Sequence, residues 1–290
     1  MENLLGLGTE TLNRSLSSYI IEPMQNFEKR SLKPQIKANL WKWIFHRLFD
    51  FYGSQGWWPV TCEGECRPAY HPGQWAPLSL AQQFEVWMGA ILTQNTSWNN
   101  VEKALIQLRR KGIRTPEDLV LVPLVQLEHW ILPTGYYRQK SRRLMDISMN
   151  LLKLGGLETL NRMDPVTARN LLLSWKGIGP ETADSILLYA MNHSFFVVDA
   201  YTRRLGLRMG LSSQTETYPS LQSEISRKLP ALPDVYGEFH ALIVAHVKSR
   251  CTARSPRCTG CPLLCRCLHG KLSGVASHAC LSSNGTDLHA

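Results

Sequence analysis

Five cysteines fall between residues 251 and 267, and four of them, Cys251, Cys258, Cys261 and Cys267, are spaced C-x6-C-x2-C-x5-C. Thiolates bind soft metals, and four in one loop suit either a single Zn²⁺ or the irons of a [4Fe–4S] cube. Structural zinc sites more often pair two C-x2-C knuckles across a longer loop. Here there is one C-x2-C, and all four sulfurs fit inside one compact loop, which favours the cube with zinc as the alternative. Cys265 fits no ligand slot, and Cys62 and Cys66 in a Pro/Gly-rich stretch read as surface thiols. Arg254 and Arg257 lie inside the cysteine loop. Guanidiniums on a rigid loop suit phosphate oxygens; the plainer reading is a solvated charge run.

A second cluster of chemistry surrounds Lys176-Gly177-Ile178-Gly179. Two glycines allow a tight backbone turn and let an anion approach the turn amides. A helix starting there adds its free N–H groups and its dipole. The third glycine of a dinucleotide fingerprint is missing, and a helical pattern precedes the turn where that motif needs a strand. An ordinary helix–helix connection is the bland alternative. Val197-Val198-Asp199 follows, and Asp199 is placed to cap the next helix, a role compatible with catalysis.

These groups must be positioned by helices. Phe84, Trp87, Met88, Ile91 and Leu92 repeat with helical spacing, as do Val101, Ala104, Leu105 and Leu108. Residues 36–52 and 139–154 carry the same pattern, and Gly155-Gly156 ends the latter with a left-handed cap. Asp164-Pro165 reads as an N-cap followed by proline at the first helical position. Only residues 194–198 look extended, so the expected fold class is all-α. Residues 53–80 are rich in glycine and proline and read as loop; residues 1–35 read as a loosely held extension and 268–290 as a disordered tail.

The 290 residues are enough for one large domain or two ordinary ones. Lys plus Arg number 32 against 23 Asp plus Glu, a net +9 that favours a polyanionic partner. No apolar run approaches the roughly 20 residues that span a bilayer. The N-terminus lacks a signal-like pattern, so the expectation is an intracellular monomer, cytoplasmic (with the nucleoid) if prokaryotic, with no membrane partner.

Taken together, LxxWKGIGPETA, the following VVD and the cysteine loop resemble the endonuclease III-like helix-hairpin-helix DNA glycosylases, in order and in spacing. AILTQNTSWNNVEKAL (90–105) is similar to that family's early barrel helices, and GYYRQKSRRL (135–144) to its Gly-Tyr-x-x-x-Lys/Arg segment. The resemblance implies two helical domains: a six-helix barrel bearing the hairpin, about 80–193, and an iron–sulfur domain built from 36–79 and 194–267. It implies double-stranded DNA in the cleft between them, with a damaged nucleotide flipped out.

By the same resemblance Asp199 matches the catalytic aspartate and Cys251, Cys258, Cys261 and Cys267 the cluster ligands. Lys176, Gly177, Ile178 and Gly179 form the DNA-binding hairpin, and Gln94 or Asn95 matches the polar side chain that fills the gap left by the flipped base. Bifunctional members carry a Schiff-base lysine two residues after the second hairpin glycine; here that position is Glu181, which implies a monofunctional glycosylase. WWP (57–59) and the helices named above look most like the 3-methyladenine branch. An N-alkylated purine is cationic and a good leaving group, and aromatic side chains suit it; Trp57, Trp58, Trp98 and Tyr137 are the pocket candidates, whereas Trp87 on a regular apolar stripe reads as core. The alternatives are a glycosylase for oxidised or mismatched bases, with or without lyase action, and a non-catalytic DNA-binding protein on the same scaffold.

Overall fold

The computed structural model describes residues 39–75 and 77–275. The extension expected at 1–35 and the tail beyond 275 lie outside the described residues. Among those described, regular structure is helical, and one isolated antiparallel bridge joins Val60 to Ala69. The all-α expectation holds, and residues 194–198 form no strand. In chain order the helices are α1 (Leu40–Tyr52), α2 (Leu80–Leu92), α3 (Trp98–Arg110), α4 (Pro116–Val120), α5 (Leu124–Trp130), α6 (Tyr137–Leu154) and α7 (Leu157–Asn161). There follow α8 (Pro165–Ser174), α9 (Pro180–Tyr189), α10 (Ala200–Met209), α11 (Tyr218–Ser226), α12 (Pro233–Ser249) and α13 (Leu268–Leu272). No described helix is long and apolar enough to cross a membrane.

Contacts divide the chain into two compact units. Of the described residues, the hairpin unit takes 56–195 with Leu232–Asp234; the other, the cysteine unit, takes 39–55, 196–231 and 235–275. The hairpin unit is built around α2, which packs on α3, α6, α7 and α9. Every residue from Gln83 to Leu92 is buried, as expected of a helix covered on all sides. Its start is fixed by a capping box, in which Ser79 accepts from the Gln82 N–H and the Gln82 side chain accepts in return. Trp87 is fully buried, so the core reading of that residue is right.

Residues 56–79 pack in the hairpin unit, whereas the sequence placed 36–79 with the cysteine-bearing segments. The reason is local. The Thr61 N–H and hydroxyl both donate to Glu85 Oε1 on α2, at 3.0 and 2.9 Å, and the Trp58 ring lies on Gly89 of the same helix. A Cβ at residue 89 would stand 3.1 Å from that ring, so glycine provides the close approach.

In the cysteine unit α12 is the buried element, and its Phe239 meets Trp41, Phe45 and Phe196 with ring centroids 6.2, 5.4 and 5.7 Å apart. Such edge and tilted pairs add to the burial itself. Helix α13 occupies 268–272, where a disordered tail was expected; it packs on α10, and Gly270 is buried.

A buried lysine and an ion pair inside the hairpin unit hold its helices in register. Lys140 is buried and donates to Leu92 O at 2.8 Å and Thr134 O at 2.7 Å, closing the C-terminal end of α2. Burial, helped by Arg143, lowers its pKa to about 8. Arg169 on α8 makes a bidentate pair with Asp184 on α9, at 2.6 and 3.0 Å, and stacks on Phe195. The Asp184 side chain is completely buried. Removing one partner of such a pair strands the other. Asp184→Ala is expected to destabilise the chain by about 3 kcal/mol in urea unfolding. A loss below that of an ordinary surface substitution would show that the pair does not hold the two hairpin helices together.

Candidate functional site

In the hairpin unit the turn between α8 and α9 has the form the sequence suggested, with Asp164 accepting from the N–H of Val166 and Thr167 to start α8. The two glycines serve different ends. Gly177 has φ +90°, and a Cβ there would stand 2.7 Å from Arg143 Nε, so conformation and space both require glycine. Gly179 has φ −94°, and a Cβ there would meet nothing within 4 Å. Its missing side chain leaves the start of α9 uncovered, and no side chain caps that helix. Lys176 and Gly179 are exposed, but Ile178 is buried. The Ile178 side chain belongs to the core, so only its backbone is available on the turn for the contact expected there. Glu181 is exposed in the first turn of α9.

The α2–α3 turn is tied to this hairpin. Gln94 Nε2 donates to Gly177 O at 3.4 Å and to Thr182 Oγ1 at 3.1 Å, and Gln94 Oε1 accepts from Arg143 Nη1. Asn95 is exposed, with φ +55° in the left-handed region. Gln94 is thus an anchor of the turn, and Asn95 is the side chain presented outward.

Three of the four candidate pocket aromatics come together. Trp57, Trp58 and Trp98 pack mutually at centroid distances of 5.6–6.4 Å, and Tyr70 joins them against Trp57 at 5.8 Å. Tyr137 is not brought into this group: it lies at the start of α6, under the Arg138 guanidinium. Tyr70 was missed by the sequence reading, because nothing in a Pro/Gly-rich loop signals where a ring will fold back.

In the cysteine unit Asp199 caps α10, its Oδ1 accepting from Thr202 N at 2.7 Å. Its Oδ2 lies 3.5 Å from His240 Nε2 on α12, and the carboxylate side chain is only 12% exposed. Burial alone would raise its pKa; the hydrogen bond and charge of His240 and the bond from Thr202 outweigh this and hold it below the usual value. His240 was not anticipated, since it sits in an apolar run, FHALIV, that reads as plain core.

Cys251, Cys258, Cys261 and Cys267 line one cavity, together with Leu205, Met209 and Leu263. Burial is the main reason the Cys261 thiol is pushed up to about 11, and the other three sulfurs add to it by their charge. Burial, with the charge of Cys251 and Cys258, raises Cys267 as well. Among the described residues no three of His, Cys, Asp or Glu are placed to hold a single metal ion; the four sulfurs share a cavity, not a point. Cys265 is exposed and does not line it, and Cys62 is exposed as well. Arg208 donates to Cys251 Sγ at 3.1 Å and to the carbonyls of Cys251 and Thr252 at 2.9 Å. Arg254 and Arg257 are exposed on the loop.

Comparison with known proteins places these features. The family model of HhH-GPD superfamily base excision DNA repair proteins matches residues 88–231. A Methanocaldococcus jannaschii protein provisionally named a DNA repair glycosylase is 36% identical over 228 residues, covering 78% of this chain and 94% of that protein. Endonuclease III of Bacillus subtilis is 28% identical over 173 residues, covering 60% of this chain and 74% of its own. Among solved structures, an endonuclease III trapped covalently on DNA aligns with a TM-score of 0.64 at 22% identity, over 84% of this chain and all (100%) of that one. An H. pylori 3-methyladenine DNA glycosylase bound to 1,N6-ethenoadenine aligns with a TM-score of 0.56 at 26% identity, over 73% of this chain and 97% of that one. This chain belongs to the HhH-GPD superfamily of base excision DNA repair proteins, and within it is a DNA glycosylase on the endonuclease III-like fold.

Proposed function

We propose that this glycosylase is monofunctional: it hydrolyses the N-glycosidic bond of a flipped, damaged base with water and does not cleave the strand. Its preferred substrate class is an N-alkylated purine such as 3-methyladenine. The observation that carries this reading is the Asp199 carboxylate, nearly buried yet kept ionised by His240 and the Thr202 N–H. As the C1′–N bond stretches, its electron pair leaves with the base and positive charge grows on the sugar. A fixed carboxylate stabilises that charge and orients the attacking water. A lysine nucleophile would stand at the position of Glu181, and a carboxylate forms no imine.

Around this chemistry, the backbone of Gly177–Gly179 with Lys176 grips a phosphate without reading sequence. Asn95 fills the gap left by the flipped base. Trp57, Trp58 and Trp98 receive the base, their faces suiting a cationic purine. The likeness to the 3-methyladenine DNA glycosylase supports that substrate class. Arg254 and Arg257 add phosphate contacts from the cysteine loop.

Cys251, Cys258, Cys261 and Cys267 fit a [4Fe–4S] cluster: four thiols crowded into one cavity are costly as thiolates until metal charge compensates them. When bound, the cluster supplies a cross-link that fixes the loop. Arg208 orients Cys251 from outside that set.

Two outcomes test the catalytic step. Asp199→Asn should lose base release from a 3-methyladenine duplex by at least about two orders of magnitude while still binding it. The wild type should release base with strands intact until alkali; a borohydride-trapped adduct would show a lysine nucleophile instead.

His240→Leu removes the partner that depresses the Asp199 pKa. Protonation of Asp199 then begins at higher pH, and the acid limb of the single-turnover pH profile moves up. The stability linkage has the same sign. Because the folded pKa of Asp199 is below its unfolded value, its contribution is complete above the ordinary carboxylate range and lost as pH falls through the folded value. An unmoved limb would remove His240 from the mechanism.

Cys258→Ser should cost the purified protein its visible colour and bound iron, whereas Cys265→Ser should keep both. A colourless wild type that retains stoichiometric zinc would replace the cluster with the alternative metal.

A further inference from the structure

Helix α12 carries a second buried histidine that the proposed chemistry does not use. His246 follows His240 on that helix and stands about 120° away around its axis. It lines the cysteine cavity, with 1% of its surface exposed.

The ring is held at both nitrogens. Nε2 lies 3.7 Å from Cys261 Sγ, and Nδ1 lies 3.1 Å from the hydroxyl of Tyr52, the last residue of α1. The Tyr52 ring meets the imidazole edge-on, with centroids 5.9 Å apart. The main chain of His246 is engaged as well. Its carbonyl accepts from Arg250 N at 2.8 Å and from Cys251 N at 3.1 Å. One residue thus meets two of the cavity's cysteines, Cys251 through the backbone and Cys261 through the ring.

The direction of these bonds follows from counting hydrogens. A thiolate that ligates iron carries no hydrogen, so its sulfur can only accept. The bond at Cys261 then requires a hydrogen on Nε2. A neutral imidazole has one N–H, which leaves Nδ1 as an acceptor. The Tyr52 hydroxyl is the donor placed there. Ser249 Oγ, 3.2 Å from the same hydroxyl, gives its own hydrogen to Ala245 O at 2.7 Å and so does not oppose this direction. Tyr52 O–H to Nδ1 and Nε2–H to sulfur use each hydrogen once.

We propose that His246 is a positioning residue for the cluster. It donates Nε2–H to the Cys261 sulfur, is fixed in that tautomer by Tyr52, and raises the reduction potential of the group the four cysteines hold. A donor at the sulfur stabilises added electron density, so the reduced state gains more than the oxidised one. The neutral ring does this without adding net charge, whereas Arg208 brings a full positive charge to Cys251. The inference rests on the cluster reading of the four cysteines, and on neither Asp199 nor the substrate.

Voltammetry of the purified full-length holoprotein, with the electrode as electron source, tests it; iron content and the visible band are read first. His246→Leu should move the one-electron midpoint to more negative values, by up to about tenfold in the redox equilibrium constant, or about 59 mV. Tyr52→Phe should move it the same way and by less. The amide of His246→Gln offers an N–H to the sulfur without needing a tautomer. That variant should recover most of the wild-type value, and adding Tyr52→Phe to it should change nothing further. Tyr52 is half-buried, so its variant still reports if His246→Leu loads iron poorly. Midpoints equal to wild type in His246→Leu and Tyr52→Phe, or a move to more positive values, would overturn the proposal. So would a shift in His246→Gln as large as that in His246→Leu, which would assign the effect to packing. A colourless wild type with stoichiometric zinc would overturn it together with the cluster reading; an iron-loaded protein with an unmoved midpoint would overturn it alone.

Discussion

Taking the Asp199 carboxylate almost out of water costs several kcal/mol unless donors meet it, and the fold supplies those donors from two elements. One is the backbone: α10 begins at Ala200, so the Thr202 N–H is an orphan donor of the helix start, and Asp199 is the cap that satisfies it. The other is His240, carried by α12, whose burial among Trp41, Phe45 and Phe196 fixes its rotation and so the side of the helix on which the imidazole stands. Capping and charge stabilisation are thus one arrangement. The residue that starts the helix is also the residue that stays ionised, and the aromatic core of the cysteine unit exists in part to hold its partner still.

The hairpin unit meets a different demand, a turn held rigid by inward-facing polar and charged side chains. The phosphate contact proposed for the turn gains most if the turn is already rigid, because ordering it on binding would consume the gain. Rigidity here comes from crosslinks that do not touch the exposed face. Gln94 spans from the α2–α3 turn to Gly177 and Thr182, Arg143 holds Gln94 from behind, and Lys140 closes the end of α2 just before that turn. Arg169 and Asp184 lock the two hairpin helices to each other. The polar residues of the turns divide accordingly into those that face inward as struts and those, Lys176 and Asn95, that remain outward.

This division explains what could be read from the sequence. Helical periodicity located α2, α3 and α6 because burial on a helix leaves a 3.6-residue trace, and Asp164-Pro165 and Gly155 marked helix ends because capping demands particular residues. The cysteine spacing was legible to the extent that the four sulfurs it singled out line one cavity. What remained hidden lacked any periodic or local signature. Gln94 and Asn95 are adjacent polar residues, and only backbone geometry separates anchor from presented side chain. Ile178 sits between the two glycines of the hairpin turn, yet its side chain turns into the core. The 56–79 loop took its place through Thr61 and Glu85, a pairing between residues 24 apart that no pattern announces.

The cysteine loop follows the same logic. Four thiols that line one cavity would repel one another if all were ionised, and burial with the neighbouring sulfurs raises the pKa of Cys261 and Cys267. The chain offsets part of that cost itself. Arg208 meets Cys251 Sγ and gathers the carbonyls of Cys251, Thr252 and Ala253 into one guanidinium plane. A planar fork with several donors does this where a lysine could not, since it fixes directions as well as charge. Arg208 lies on α10, the helix that Asp199 caps. The loop that receives the sulfurs and the carboxylate proposed for the chemistry are therefore referenced to the same rigid rod of ten residues, so a shift of that helix would disturb both at once.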